Sequence, residues 1–279
     1  MIVFLNGRFV AEESARVSVL DRGFLYGDGL FETLRLFKGR PIAWEAHLQR
    51  LQRGAKFLQI RPPLTALEMR RVVDRLVAFN KLPDGVLRLT LTRGPGPRGY
   101  SPQGAESPTL VLALHPLPVL KKSGARLVTS TFRVTANDPL AQLKSCSKLL
   151  YVAARAEAGA RDANDALLLN TRGHVAETTA SNIFWFSDGV LSTPTARSGA
   201  LMGITRAAVL ELANKLRMPC MELDVAPAAL KRASGLFLTN SVSGIVEAIA
   251  LDGQALARSP FTTRLRKAYD LWVRADSVS

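Results

Sequence analysis

Lys144 sits in Pro139-Leu140-Ala141-Gln142-Leu143-Lys144-Ser145-Cys146, behind an apolar lead-in and just ahead of a helical run near 146–160. Burial beside such neighbours lowers the pKa of an ammonium and makes the amine a nucleophile for an aldehyde. Most lysines are solvated surface groups, and Lys148, one helical turn later, competes for the same role. Glu177 follows in HVAETTASNIFWF (174–186), after a turn and ahead of an aromatic-rich strand. Alone it reads as a solvent-facing strand-end carboxylate. Beside a nitrogen heterocycle it would hold the ring nitrogen's proton and deepen an electron sink. Met202-Gly203-Ile204-Thr205-Arg206 opens a helix, where N–H groups and a hydroxyl at the dipole's positive end suit a phosphate. An ordinary glycine-containing helix start looks the same. Thr239-Asn240-Ser241, a hydroxyl-rich loop after the strand Leu236-Phe237-Leu238, is open to the same two readings.

These groups need elements to carry them. MIVFLNGRFVAEES reads as a strand, an Asn6-Gly7 turn and a second strand, with none of the basic start or cleavage site of a signal peptide. LFETLRLF (30–37) is a strand, and Leu48, Leu51, Ala55 and Leu58 share one face of a helix near 44–58. Thr65 with Glu68 forms a capping box for a second helix, which carries Leu67, Val72, Val73 and Leu76. GVLRLTLTR (85–93) alternates Leu87, Leu89 and Leu91 against Arg88, Thr90 and Thr92, a half-buried strand whose partner is TLVLALHP (109–116). A Gly/Pro arm, RGPGPRGYSPQG (93–104), joins the two. Pro116, Pro118 and Lys121-Lys122-Ser123-Gly124 make a linker. Beyond it come strands with turns at Thr171-Arg172-Gly173 and Ser187-Asp188-Gly189, and a last helix with Ser259 as N-cap and Pro260 at its first position.

Composition narrows the classes of function. With 47% hydrophobic residues the 279-residue chain can fill a core. No apolar run approaches the ~20 residues of a membrane span. Cys146 and Cys220 show no metal or CxxC spacing, so a reduced, cytoplasmic setting is expected. The charge of 37 − 23 = +14 raises nucleic acid as a partner. The basic residues are interleaved with apolar positions on helices, however, and no nucleic-acid motif accompanies them. Neither nucleic acid nor a membrane is expected as a partner. His47, His115 and His174 lack metal spacing and read as structural or solvated, so no metal is expected.

Taken in order, these pieces resemble the class IV aminotransferase family, the fold-type IV enzymes of pyridoxal 5′-phosphate (PLP). The resemblance covers about residues 2–255: DRGFLYGDGLFETLR (21–35), HLQRL (47–51), the Lys144 segment, AETTASNIF (176–184), GITR (203–206) and FLTNS (237–241). It implies an α+β (mixed), two-domain, D-amino acid aminotransferase-like fold. A small N-terminal α/β domain would span 1–118, and a larger, β-rich C-terminal domain, 119–279, would carry the PLP lysine. It further implies a homodimer, a Schiff base between Lys144 and PLP, and Glu177 at the pyridine nitrogen. Arg50, Ile204, Thr205, Asn240 and Ser241 would bind the phosphate. The family often has Asn shortly after the lysine. Here the run is Lys144-Ser145-Cys146-Ser147-Lys148, which bears on a supporting contact and not on the lysine.

The family includes D-amino acid and branched-chain aminotransferases and 4-amino-4-deoxychorismate lyase. The arm RGPGPRGYSP (93–102) resembles the RGxGxRGY pattern of the lyases, with Arg98 placed to grip a carboxylate bidentately and Tyr100 beside it. Phe31-Glu32-Thr33-Leu34-Arg35 is also lyase-like, which puts Phe31 among the substrate residues. FLTNSVSGI (237–245) resembles the lyase form TNSLxGI with Val242-Ser243 substituted. The implied substrate is a small carboxylate-bearing amine. The implied activity is conversion of 4-amino-4-deoxychorismate to 4-aminobenzoate and pyruvate for folate biosynthesis, with transamination of D-amino or branched-chain amino acids as the alternative.

Overall fold

The computed structural model of the chain describes residues 1–119 and 124–277; Lys121, Lys122 and Ser123 of the expected linker lie outside them. At 33% helix and 32% strand the fold is mixed, built on two sheets. It divides into two compact units.

The first unit begins with the hairpin β1 (Ile2–Leu5) and β2 (Arg8–Ala11). Asn6 and Gly7 both take positive φ, 46° and 90°, as a two-residue hairpin turn requires. Next comes the short helix α1 (Arg22–Tyr26), capped by the Asp21 carboxylate on Gly23 N and ended by Gly27 in the left-handed region. Then follow β3 (Gly29–Phe37), β4 (Arg40–Pro41), α2 (Trp44–Leu58), α3 (Ala66–Asn80), β5 (Gly85–Thr92) and β6 (Thr109–His115). The strands pair antiparallel in the order β2-β1-β6-β5-β3-β4. Alternation puts Leu30, Leu34, Leu36, Leu87, Leu89 and Leu91 into one core with Leu48 and Leu51 of α2 and Met69, Val73 and Leu76 of α3. The capping box at Thr65 and Glu68 is formed. Leu67 is not on the buried stripe; it is 62% exposed, and Met69, three residues before Val72, takes the place expected of it.

The segment Leu143–Lys148 groups with this first unit. Phe31 N donates to Lys144 O (2.9 Å) and Cys146 N to Gly29 O (2.8 Å), so the segment lies along β3, and Leu143 joins the core. A single cut after residue 118, which leaves the lysine with the C-terminal residues, does not describe that pairing.

The second unit contains β7 (Ala125–Val134), α4 (Leu149–Ala160), β8 (Asp165–Asn170), β9 (Val175–Thr178), β10 (Asn182–Ser187), β11 (Val190–Thr193), α5 (Ile204–Lys215) and β12 (Cys220–Glu222). It continues through α6 (Pro227–Lys231), β13 (Gly235–Asn240), β14 (Gly244–Leu251), β15 (Gln254–Ala255) and most of α7 (Pro260–Asp276). Its strands run β12-β11-β10-β13-β14-β7-β8-β9, with β15 beside β14, and the β7/β8 and β7/β14 pairs are parallel. β8 is buried along its whole length, and in β10 only Ser187 is exposed. Two-sided burial explains their near-continuous apolar sequence. The expected turns hold, with Gly173, Asp188 and Gly189 at positive φ. Ser259 Oγ accepts from Phe261 N (3.3 Å) at the start of α7.

Candidate active site

In the first unit β3 and β5 pair with Phe31 opposite Thr90 and Thr33 opposite Arg88. The register therefore puts Phe31, Thr33, Arg88 and Thr90 on the face turned away from the helices. Lys144 Nζ stands 4.6 Å from the Phe31 ring centroid and Arg88 Cζ 3.5 Å from it. Lys144 is half-buried, consistent with an amine partly withdrawn from water. Arg88 Nη1 donates to Thr33 Oγ1 (3.2 Å). Burial pushes the Arg88 guanidinium below its ordinary pKa, although an arginine remains a cation. Among the described residues it has no carboxylate partner. Arg88 was read from the sequence only as the polar side of an alternating strand. The strand register, not the pattern, places it against Phe31 and beside the same ring as Lys144.

Arg50 is placed differently from a simple phosphate ligand. Its Nε donates to Glu32 Oε1 (2.8 Å) and its Nη2 to Glu32 Oε2 (2.6 Å), and His47 Nδ1 lies 2.7 Å from the same Oε2. Glu32 is fully buried, on the apolar face of β3. Burial alone would raise its pKa, but the hydrogen bonds from Arg50 and His47 outweigh that and hold it at about 2. Burial in turn lowers His47, against the pull of Glu32. His47 is thus structural, as expected.

Arg98 and Tyr100 lie on the arm between β5 and β6, and both side chains are exposed. The backbone carbonyls of Gly99 and Tyr100 accept from Arg22 Nη1 (2.8 Å) and Nη2 (3.1 Å).

The second unit gathers the other expected groups around Thr178–Asn182. Glu177 is 5% exposed, so a solvent-facing strand end does not describe it. Tyr151 OH donates to its Oε1 (3.0 Å) and Leu201 N to its Oε2 (3.1 Å). Burial and the adjacent carboxylate push the Tyr151 phenol well above its ordinary value, so it stays a neutral donor. Leu201 O accepts from Asn182 Nδ2 (2.7 Å), and three residues later α5 begins. A Cβ on Gly203 would run into Asn182 Oδ1, so only glycine allows this close approach. Gly203 has no side chain to cap α5, and buried Thr205 and half-buried Ile204 occupy the helix's first turn. Asn240 Nδ2 donates to Ser181 Oγ (3.0 Å), and Asn240 Oδ1 accepts from Val242 N and Ser243 N, which tightens the Asn240-Ser241 loop. Tyr151 and Asn182 were missed by sequence reasoning; Asn182 stood within the quoted motif AETTASNIF, whereas nothing local marked Tyr151.

The Amino-transferase class IV model matches residues 29–250. The chain belongs to the class IV aminotransferases. A provisionally named branched-chain-amino-acid aminotransferase of Methanocaldococcus jannaschii is 38% identical over 92% of this class IV chain and 90% of its own length. The 4-amino-4-deoxychorismate lyase structure from Pseudomonas aeruginosa is 36% identical, covers 95% of this chain and 97% of its own, and has a TM-score of 0.85. A branched-chain amino acid aminotransferase structure from T.th., complexed with N-(5′-phosphopyridoxyl)-L-glutamate, is 27% identical with a TM-score of 0.90, over 99% of this chain and 94% of that one.

Class IV aminotransferases use PLP. The donors in this class IV chain suit that group. The helix start has no side-chain cap, which leaves its first N–H groups open to a phosphate, and Thr239 Oγ1, near the end of β13, is buried without a hydrogen-bond partner among the described residues. Glu177 is a buried carboxylate already oriented by two donors. No cluster of His, Cys, Asp or Glu able to hold a metal ion occurs among the described residues, and no described helix is long and apolar enough to cross a membrane.

Proposed function

We propose that this class IV enzyme is a PLP-dependent lyase that converts 4-amino-4-deoxychorismate to 4-aminobenzoate and pyruvate, a step of folate biosynthesis. The observation that carries it is where two of the guanidiniums without a carboxylate partner among the described residues, Arg88 and Arg98, are held. Arg88 shares the Phe31 ring with Lys144, and Arg98 is displayed on the RGPGPRGY arm beside exposed Tyr100. The proposed substrate carries two carboxylates, one on the ring and one on the enolpyruvyl group. A branched-chain amino acid carries one, and in a transaminase a second cation would serve the dicarboxylate acceptor 2-oxoglutarate.

Bound PLP supplies an aldehyde to hold the substrate amine and a ring to take up the electron pair left by a departing proton. In our reading Lys144 Nζ accepts that proton from the amine-bearing ring carbon. Glu177 keeps a proton on the pyridine nitrogen, while Tyr151 and Leu201 N hold its carboxylate still. Phosphate falls to the first N–H groups of α5, Ile204 and Thr205, to Asn240 and Ser241, and to Arg50 from within its pairing with Glu32. Arg98, flanked by Tyr100, binds one substrate carboxylate, Arg88 the other, and Phe31 packs on the ring. The net change needs no oxidant: one C–H and one C–O bond break, the ring becomes aromatic, and enolpyruvate leaves as pyruvate. The working form we propose is a homodimer. Free Cys146 and Cys220 suit a reducing cytoplasm.

A second reading, transamination, is supported by the 38% identity to the Methanocaldococcus jannaschii relative. It uses the same residues and differs only in where the proton returns. PLP-loaded protein given 4-amino-4-deoxychorismate should release 4-aminobenzoate. In parallel it should transfer the amino group of D-alanine or L-leucine to 2-oxoglutarate slowly. Fast transfer with no aromatic product would replace the lyase by the transaminase. In Lys144→Ala, borohydride should no longer fix PLP to the protein; a persisting adduct would assign the role to Lys148.

A further inference from the structure

We infer that Arg22 is a positioning residue for substrate binding: its guanidinium grips the backbone of the arm and thereby sets where Arg98 and Tyr100 stand. The assignment rests on the reading of Arg98 as a carboxylate clamp, and it concerns a residue far outside the motif that supplies the clamp.

The arm cannot position itself. Gly94, Gly99 and Gly104 all take positive φ (84°, 111° and 75°), so its backbone is permissive at three points. Tyr100 is 88% exposed and Arg98 is exposed, so neither side chain packs into the core of the unit. Its fixed points trace to α1 instead. Arg22 N donates to Gly94 O (2.9 Å), Arg22 Nη1 to Gly99 O (2.8 Å) and Nη2 to Tyr100 O (3.1 Å). Gly99 N donates to Tyr26 OH (3.2 Å), and the Tyr26 and Tyr100 rings meet edge to face at 5.6 Å.

Arg22 is itself held rigidly. It is 3% exposed, and its Nε donates to Asp28 Oδ2 (2.9 Å). Asp28 is shared with Arg93, whose Nε and Nη2 bind it at 2.7 and 3.2 Å. Arg93 Nη2 is fixed in turn by Leu58 O (2.8 Å) at the end of α2. The planar fork of an arginine can meet one carboxylate and two successive carbonyls at once, which the single ammonium of a lysine cannot. Lysine at position 22 therefore keeps the charge opposite Asp28 and releases the arm.

The test compares Arg22→Lys, Tyr26→Phe, Arg98→Ala and the Arg22→Lys/Arg98→Ala pair, each as the PLP-loaded full chain. The readouts are KM and kcat for 4-amino-4-deoxychorismate and the rate of tryptic cleavage after Arg98. Arg22→Lys should raise KM by about tenfold with kcat within about threefold, and should speed cleavage after Arg98 by a similar factor. Tyr26→Phe, which leaves the Asp28 pairings whole, should move both readouts the same way by a smaller factor. The double variant should be no worse in KM than Arg98→Ala, since one lesion acts through the other. Wild-type KM and cleavage in both Arg22→Lys and Tyr26→Phe, alongside a raised KM in Arg98→Ala, would overturn the assignment. A wild-type KM in Arg98→Ala would instead sink the clamp reading. The cleavage rate would still report whether Arg22 holds the arm.

Discussion

The two units hold their functional groups by opposite means. In the first, cations are fixed by carboxylates: Arg50 by buried Glu32, and Arg22 with Arg93 by half-buried Asp28. In the second, an anion is fixed by neutral donors: Glu177 by the Tyr151 hydroxyl and the Leu201 amide, with Asn182 tying the same stretch down. The difference follows from what each part must present. In the proposed function the first unit offers Arg88 and Arg98 to carboxylates, and its ion pairs fix Arg50 and Arg22 in orientation. A unit that offers a carboxylate to a ring nitrogen needs donors that orient it without adding charge. Ion pairs in a low-dielectric interior are costly to break singly, whereas neutral hydrogen bonds fail by smaller steps.

The largest effect should come from Glu32→Ala, which strands the buried Arg50 guanidinium beside His47. Loss of one partner of a buried pair costs about 3–5 kcal/mol, to be read from the urea midpoint. A loss near that of a surface substitution would contradict the comparison. Gly203→Ala comes next, because its Cβ displaces Asn182 from the approach to α5. Overpacking of this kind costs about 1–3 kcal/mol and should weaken PLP binding along with it, as fluorescence titration of the apoprotein would show. Unaltered PLP affinity would separate the helix start from the phosphate. Tyr151→Phe should be mildest, about 1.5 kcal/mol for one donor to a charged group. It should leave PLP bound but shift its visible absorbance with pH, and an unchanged spectrum would remove Tyr151 from the acid's support.

Acid should separate the two strategies most directly. Glu32 is held at about 2, below its ordinary 4.5, so its contribution is full above the ordinary value and is lost as pH falls through about 2. His47 is also lowered, so the unfolded chain takes up its proton first, and stability begins to fall as pH drops below its ordinary 6.5. Urea midpoints should thus decline from pH 7 downward, and Glu32→Gln should flatten the lower limb. A midpoint equal at pH 7 and pH 3 would contradict the buried-pair account.

Much of this was legible before any coordinates. The order of the Lys144, Glu177, Gly203-Ile204-Thr205 and Asn240-Ser241 segments pointed to the family, and period and capping located the hairpin, α2, α3 and the β5/β6 pair. Glu32 left a signal that went unread: a charge on the apolar side of a strand, between Leu30 and Leu34, demands a buried partner. Tyr151 left none, because a tyrosine in a helix is ordinary locally; Arg22 stood within DRGFLYGDGLFETLR, where nothing local tied it to the arm.

What the chain's order of residues decides by itself is short-range: which side chains share a helix face or strand face, where helices start, and which chemically able groups exist. Those follow from backbone geometry repeated every two or 3.6 residues. Which groups meet was settled only by folding. Arg50 finds Glu32 across 18 positions, Tyr151 finds Glu177 across 26, and Arg22 finds Gly99 across 77. Partners so far apart are brought together by strand register and by the docking of helices on sheets, and no local periodicity encodes that distance.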